Sequence, residues 1–268
     1  MPRELAGGVE VVAHRGASED VPEHTLAAYR KAIADGADAL ECDVRLTRDG
    51  VLVCVHDRTV DRTSSGRGVV SLLELAALTE LDFGSWRGHG CDAEEPDADR
   101  SGVLTLARLL QLVRDTSRPV RLAIETKHPT RYAGLVEREL VGLLTRYGLA
   151  GPCSPTPPPV RVMSFARSSL RRIHALAPEL PTVLLMRQLP RPLRNGSLPP
   201  QVAATGPSID VLRQHPGYVA RAHDRGYPVH AWTVNSPDDV ELALDLHVDA
   251  VITDRPSAVR DQLRRRAG

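Results

Sequence analysis

A chain of 268 residues in which 42% of side chains are hydrophobic and 25% charged can bury a sizeable core, which excludes disorder over most of its length. Lys+Arg and Asp+Glu both number 34 and aromatic residues make up 3%, so the chain has no global basic field and few stacking platforms for nucleic acid, and phosphate recognition must be local. No apolar run approaches the roughly 18 residues of a membrane-spanning helix, and MPRELAGGVEVVAHRG lacks the apolar stretch of a secretory signal, so a cytoplasmic protein without integral membrane association is expected.

The first β-branched run, residues 9–13, ends at His14 and Arg15, and Gly16 behind them lets the chain turn close to a ligand. Thr25 can N-cap the helical stretch LAAYRKAIA, and Gly36 can take the left-handed conformation that ends it. In the second run, ALECDV at 39–44, Glu41 and Asp43 are two residues apart, so both point to one side about 7 Å apart at Cα. Desolvating two like charges together is costly unless a cation compensates, and hard oxygen donors imply Mg2+ or Ca2+, with Mn2+ also suited, rather than zinc. Asp49-Gly50 then reads as a two-residue hairpin turn. Pairing Arg48 with Val51 sets Leu46 against Val53, Val44 against Val55 and Asp43 against His56, which delivers a histidine to the acidic pair.

Residues 58–103 break the alternation with Gly, Ser and acidic runs and read as a small inserted subdomain over the catalytic face. After a helical stretch at 104–114, the run at 121–125 in RLAIETKHP adds Glu125 and, two residues on, Lys127 on the same side. Lys127 as a point charge and Arg15 as a fork suit a phosphate, whereas His128 points the other way and reads as structural. An amphipathic stretch at 131–147 leads to the proline-rich segment 152–159, a stiff linker on the side remote from catalysis. Further strands are expected at 161–165, 182–186, 208–211, 229–234 and 250–253, with helices at 168–176, 216–225 and 237–246, the last capped by Ser236-Pro237. Residues 189–207 follow a strand on the catalytic side and are a candidate mobile lid. Such alternation over about 250 residues suggests a closed (β/α)8 barrel, a TIM barrel, forming one domain over 1–268, with a doubly wound sheet as the rival fold. Cys42, Cys54, Cys91 and Cys153 show no zinc-like spacing and are expected as reduced thiols.

The ordered motifs HRGASEDVPEHT, ALECDV, VCVHD, IETK, HAWTVN and DAVITDRP, spread over residues 10–256, resemble those of the glycerophosphodiester phosphodiesterase family. The resemblance implies a TIM barrel with a small insertion after the histidine-aspartate motif at 56–57. It makes His14 and His56 an acid/base pair, Glu41, Asp43 and Glu125 ligands of a divalent cation, Arg15 and Lys127 phosphate contacts, and Trp232 a wall of the substrate pocket. The implied reaction hydrolyses a small-molecule glycerophosphodiester to sn-glycerol 3-phosphate and an alcohol. Two alternatives are a related barrel phosphodiesterase acting on lysophospholipids or phosphoinositides and a catalytically silent phosphate-binding barrel; retention of both histidines and all three acids argues against the second. The family usually reads Glu-Asn-Thr where this chain has Glu23-His24-Thr25, so a pocket-edge amide becomes a titratable ring that bears on specificity. Ala107 and Arg108 stand where an acid is usual, a change expected at the surface.

Overall fold

The computed structural model describes residues 8–87, 97–132, 134–151 and 158–267. Its strands are β1 (Glu10–His14), β2 (Ala39–Leu46), β3 (Leu52–Cys54), β4 (Arg121–Thr126), β5 (Val160–Ser164), β6 (Thr182–Met186), β7 (Ala204–Pro207), β8 (His230–Ala231) and β9 (Ala250–Thr253). All but β3 pair in parallel, in the order β7, β6, β5, β4, β2, β1, β9, β8. Isolated parallel bridges from Thr205 to Val229 and from Ser208 to Trp232 join the two ends and close the (β/α)8 barrel. No helix among the described residues is long and apolar enough to cross a membrane.

Alternation along each strand divides the apolar side chains between two cores. Leu40, Cys42 and Val44 of β2 pack outward with Ile124 of β4 and with Leu109 and Leu140 of the helices Leu106–Arg114 and Leu135–Arg146. Val12, Ala39, Ala123, Met163 and Ile252 fill the barrel interior instead. The residues of β2 that alternate inward against Leu40, Cys42 and Val44 are therefore Ala39, Glu41 and Asp43, with the acids nearer the carboxyl end of the strand. The expected caps are present. Thr25 Oγ1 accepts from Ala28 N at 3.2 Å, Gly36 follows the helix Leu26–Ala34 at φ 85°, and Ser236 forms a capping box with Asp239 ahead of Pro237.

Three expectations change. The hairpin loop holds three residues, 48–50, because Thr47 N bonds the Val51 carbonyl at 3.0 Å, Gly50 takes φ 84°, and Asp49 is drawn away to accept from Thr47 Oγ1 at 2.6 Å and Leu75 N at 3.0 Å. The register moves by one, so Val44 faces Cys54 and the Asp43 carbonyl accepts from Val55 N. His56 then lies beyond the ladder, where Arg45 Nε and Nη2 grip its carbonyl at 3.0 and 2.8 Å. Residues 208–211 are not a strand: Ser208 Oγ caps Val211 N at 3.3 Å and starts the helix Ile209–Gln214, while the less apolar ATGP forms β7. Gly206 there is a close-approach residue, since a Cβ would stand 2.6 Å from Leu185 Cδ2.

Residues 189–207 are moored, not a lid. Leu189, Leu193 and Val202 are buried against Tyr218, Val219 and Ala222, and Arg221 and Arg225 hold the carbonyls of Arg194 and Asn195 at 2.7 and 2.8 Å. Within the excursion at 58–103, Val60, Val70, Leu78 and Phe83 form a small core on Val53 and Val55 of the hairpin; Cys91 lies outside the described residues. Of the proline-rich segment, 152–157, including Cys153, also lie outside, and the Pro159 carbonyl accepts from Leu122 N at the amino end of β4. Cys42 and Cys54 are free and buried.

Candidate active site

The carboxyl ends of β1, β2, β4 and β8 and the chain just past the hairpin converge on a cavity of about 70 Å³, and every sequence-predicted site residue except Asp43 lines it. Asp43 lies beneath, 1% exposed, beside Glu41 at 2%. The turn after β1 is tight: Arg15 and Gly16 both take positive φ, 58° and 88°, and a Cβ on Gly16 would stand 2.7 Å from the Ala28 backbone. Arg15 N sits 3.1 Å from the Glu41 carbonyl and from Glu41 Oε2, so this left-handed residue ties the first two strands together at the site.

Glu41, Asp43 and Glu125 each bring a carboxylate oxygen to within 4.8 Å of the others. Arg15 Nε lies 3.1 Å from Asp43 Oδ2, and Lys127 Nζ lies 3.3 Å from Asp43 Oδ1 and 2.8 Å from Glu125 Oε1. Burial, reinforced by the charge on Asp43, pushes Glu41 well above the usual carboxylate range, and the same causes push Glu125 up to about 8. Burial opposes ionisation of Asp43 too, but Lys127, a hydrogen bond from His24 and Arg15 outweigh it and hold that carboxyl low. Arg15 and Lys127 therefore do not suffice to keep all three acids ionised together, and full ionisation calls for further positive charge. Asp43 Oδ1 also lacks a hydrogen-bonded partner, despite its distance from Lys127. An all-oxygen donor set with an unpaired buried oxygen fits a hard divalent cation.

Each histidine carries its own carboxylate. His14 Nδ1 donates to Asp254 Oδ1 at 2.7 Å, with Nε2 4.0 Å from Glu41 Oε2. His56 Nδ1 donates to Asp57 Oδ1 at 2.6 Å. Asp254 is in turn held by Ser18 Oγ at 2.8 Å and Asn235 Nδ2 at 2.6 Å, and its carboxyl stays well below the usual range because these bonds and His14 overcome burial. Asp57 accepts from Arg62 Nε at 2.6 Å, which with His56 holds it at about 2 against the effect of burial. Burial lowers His56 to about 4; the nearby Arg15 and Lys127 push the same way and Asp43 pulls back. Fixing Nδ1 to a carboxylate sets the tautomer and turns Nε2 to the cavity.

Asp254, Asp57, Asn235 and Ser18 had no role in the sequence reading. Asp57 and Asp254 were legible in principle, one beside His56 and the other just past β9 at the same rim. Asn235 and Ser18 gave no signal, since nothing in their local pattern ties them to Asp254. His24 is placed differently from expectation. It is buried rather than at the pocket edge, takes φ 60°, and donates from Nε2 to Asp43 Oδ2 at 3.0 Å, with Nδ1 2.8 Å from the Tyr29 hydroxyl. Burial lowers its pKa, with Asp43 pulling the other way. Arg108 is exposed, as expected, while Ala107 is partly buried under Tyr147, whose hydroxyl bonds its carbonyl at 3.1 Å. Trp232 is half-buried on the cavity wall, edge-on to Phe165 at 5.4 Å between centroids, with Nε1 donating to the Gly206 carbonyl at 2.7 Å. Phe165 and Arg187 complete that wall.

The model of the glycerophosphoryl diester phosphodiesterase family matches residues 14–258. The chain belongs to that family. Over 259 residues it is 46% identical to a probable glycerophosphodiester phosphodiesterase 1 of Mycobacterium tuberculosis, covering 96% of this chain and 93% of that one. A glycerophosphodiester phosphodiesterase of Bacillus subtilis is 35% identical over 250 residues, covering 91% of this chain and 83% of that protein. Among solved structures, an Oleispira antarctica phosphodiesterase in complex with the product sn-glycerol-3-phosphate superposes with a TM-score of 0.78 at 26% identity, over 95% of this chain and 96% of that one. As in the rest of the family, the activity is glycerophosphodiester phosphodiesterase activity.

Proposed function

We propose that the protein hydrolyses small glycerophosphodiesters to sn-glycerol 3-phosphate and an alcohol, with His14 and His56 exchanging the protons and Glu41, Asp43 and Glu125 holding Mg2+ or Ca2+. The observation that carries this reading is the pair of histidines, each anchored through Nδ1 to its own aspartate, on a cavity floored by three converging carboxylates. A bound divalent cation would polarise a phosphoryl oxygen and offset the charge of the diester. Arg15 and Lys127 add positive charge on the same wall, where low dielectric strengthens it. One imidazole accepts the proton of the attacking hydroxyl at Nε2, and the other delivers a proton to the departing alkoxide. His56, neutral at pH 7 because it is buried, is poised to accept. Asp254 and Asp57 stabilise whichever imidazolium forms next to them.

The excursion at 58–103 supports the reading from outside: its Arg62 bridges Asp57 and Glu23, and Glu23 Oε1 in turn accepts from Arg15 Nη1 at 3.0 Å. Arg62 thereby fixes both an aspartate and the arginine of the site. The small cavity, with Trp232 and Phe165 along one side, suits a glycerol moiety better than the acyl chain of a lysophospholipid. The free thiols of Cys42 and Cys54 accord with a reducing, cytoplasmic setting. Release of glycerol phosphate from a glycerophosphodiester by the purified protein, with chelator and with Mg2+ or Ca2+ added back, is the test. Turnover that persists unchanged in chelator would remove the metal from the proposal.

A further inference from the structure

A second cavity, of about 200 Å³, opens beside the first, and Lys127 lines both. It belongs to the same rim, since Pro129 and Thr130 follow the end of β4 and Arg58 follows His56 and Asp57. Arg45, Arg58, Lys127 and Arg131 bring four positive charges to its wall, and no carboxylate lines it. Lys127 is neutralised by Asp43 and Glu125, but Arg45, Arg58 and Arg131 have no carboxylate partner among the described residues. Lacking a carboxylate is common among the arginines of this chain; what sets these three apart is that they face one cavity together.

The cavity is built rather than incidental. Tyr132 donates its hydroxyl to the Ser71 carbonyl at 2.9 Å, tying the loop after β4 to the inserted segment across the opening, and Arg131 lies over the Tyr132 ring at 5.6 Å. Arg45 spends Nε and Nη2 on the His56 carbonyl, and Nη1 has no partner among the described residues. The carboxylates that act on Arg45, namely Asp43, Asp57 and Glu125, lie outside the cavity wall, so the guanidinium groups that face the cavity repel one another across it and an entering anion relieves that repulsion.

We infer that this cavity is a subsite for a second phosphate, carried on the alcohol side of the diester, so that the protein prefers glycerophosphodiesters whose alcohol bears a further phosphate group. The inference rests on the phosphodiesterase reading and deepens it: glycerol lies toward Trp232, the scissile phosphate near Lys127, and the alcohol passes Lys127 into the arginine-lined cavity. Guanidinium forks suit phosphate oxygens in pairs.

Steady-state turnover by the full chain with saturating Mg2+ tests this with two substrates, one with an uncharged alcohol and one whose alcohol carries a second phosphate. The expected result is a KM about tenfold lower for the second substrate. Arg58→Gln and Arg131→Gln, both exposed residues outside the proposed catalytic set, should each erode that preference several-fold and leave turnover of the uncharged substrate as it was. Equal KM values in the parent, or a preference untouched by both substitutions, overturn the inference and leave the phosphodiesterase reading standing. If KM values are equal but inorganic phosphate binding by calorimetry is lost in both variants, the cavity holds a free anion and the substrate subsite is overturned. Failure to turn over either substrate overturns the reading on which the inference rests.

Discussion

His14 and His56 are built alike at Nδ1 and differ behind it. Asp254 is fixed by Ser18 and Asn235, from the turn after β1 and the segment after β8, whereas Asp57 depends on a single arginine from the excursion. Replacing either histidine by alanine should lower kcat by about a hundredfold or more, with the melting temperature unchanged, since both rings are partly exposed at the cavity. Activity near the parent level in either variant would remove that histidine from the proposed pair. Arg62→Gln should act through Asp57 and Arg15 and reduce kcat without touching the cavity itself. Trp232 carries two functions that one substitution can separate. Trp232→Phe keeps an apolar wall but loses the bond to Gly206, whereas Trp232→Ala loses both. The alanine variant should lower kcat/KM for a glycerophosphodiester more than for a small diester lacking glycerol, and the phenylalanine variant should affect both little. Equal losses on the two substrates in the alanine variant would return Trp232 to the barrel packing.

At the scale of strands and loops, the amino ends hold a charge cluster opposite the active site. Glu10 at the start of β1 accepts from Arg161 of β5 at 3.0 Å and from Arg121 of β4 at 3.1 Å, with buried His230 of β8 nearby. Burial drives His230 well below its usual pKa, and Arg161 and Arg121 add to the effect. Glu10→Gln would leave buried Arg161 without its counter-charge and should destabilise the fold by about 3 kcal/mol in chemical denaturation, with kcat intact. The elements legible in the sequence were those whose apolar run and strand coincide, such as β6 and β9, and those with capping chemistry, such as the helices after Thr25 and Ser236. β7 escaped because Thr205 is its one β-branched residue among Ala, Gly and Pro, while Ile209 and Val211, which look like a strand, form a helical first turn. Glu41, Asp43 and Glu125 were legible because an acid within an apolar run is conspicuous. The hairpin register was not, because an Asp-Gly pair is compatible with both two- and three-residue loops and only the capture of Asp49 by Thr47 and Leu75 decides between them.

For the whole molecule, the acidic cluster sets function against stability. Glu41→Gln should leave the metal-free protein at least as stable as the parent, because a neutral amide replaces a carboxyl whose ionisation burial and Asp43 oppose, and should abolish the rise in melting temperature that Mg2+ or Ca2+ gives the parent. A variant that retains the full metal-induced rise would exclude Glu41 from the ligand set. Acid tolerance is governed partly by Glu137, fully buried on the helix Leu135–Arg146 and bonded by Arg172 Nη1 at 3.1 Å, with His128 Nε2 at 3.2 Å. Burial opposes its ionisation, but hydrogen bonds from His128 and Ser169 hold it at about 2. Its carboxylate form therefore stabilises the fold fully above the unfolded value of about 4.3, and the benefit disappears as pH falls from there toward the folded value. Glu137→Gln should flatten the fall of melting temperature across that acid window and lower it at neutral pH.

The closure of the barrel is uneven. Along most of the ring, neighbouring strands share three or more paired positions, but β8 shares two with β9 and meets β7 through the isolated bridges Thr205 with Val229 and Ser208 with Trp232. Hydrogen–deuterium exchange should find this seam the first part of the wall to open, with the amides of Thr205 and Trp232 exchanging well before those of Leu122 and Ile124 in β4. Trp232 sits on the seam, so the side of the cavity assigned to glycerol is also the side that breathes, and occupancy there should slow exchange at Thr205 from across the β-sheet. A ligand that protects β4 and not the seam would place the glycerol elsewhere.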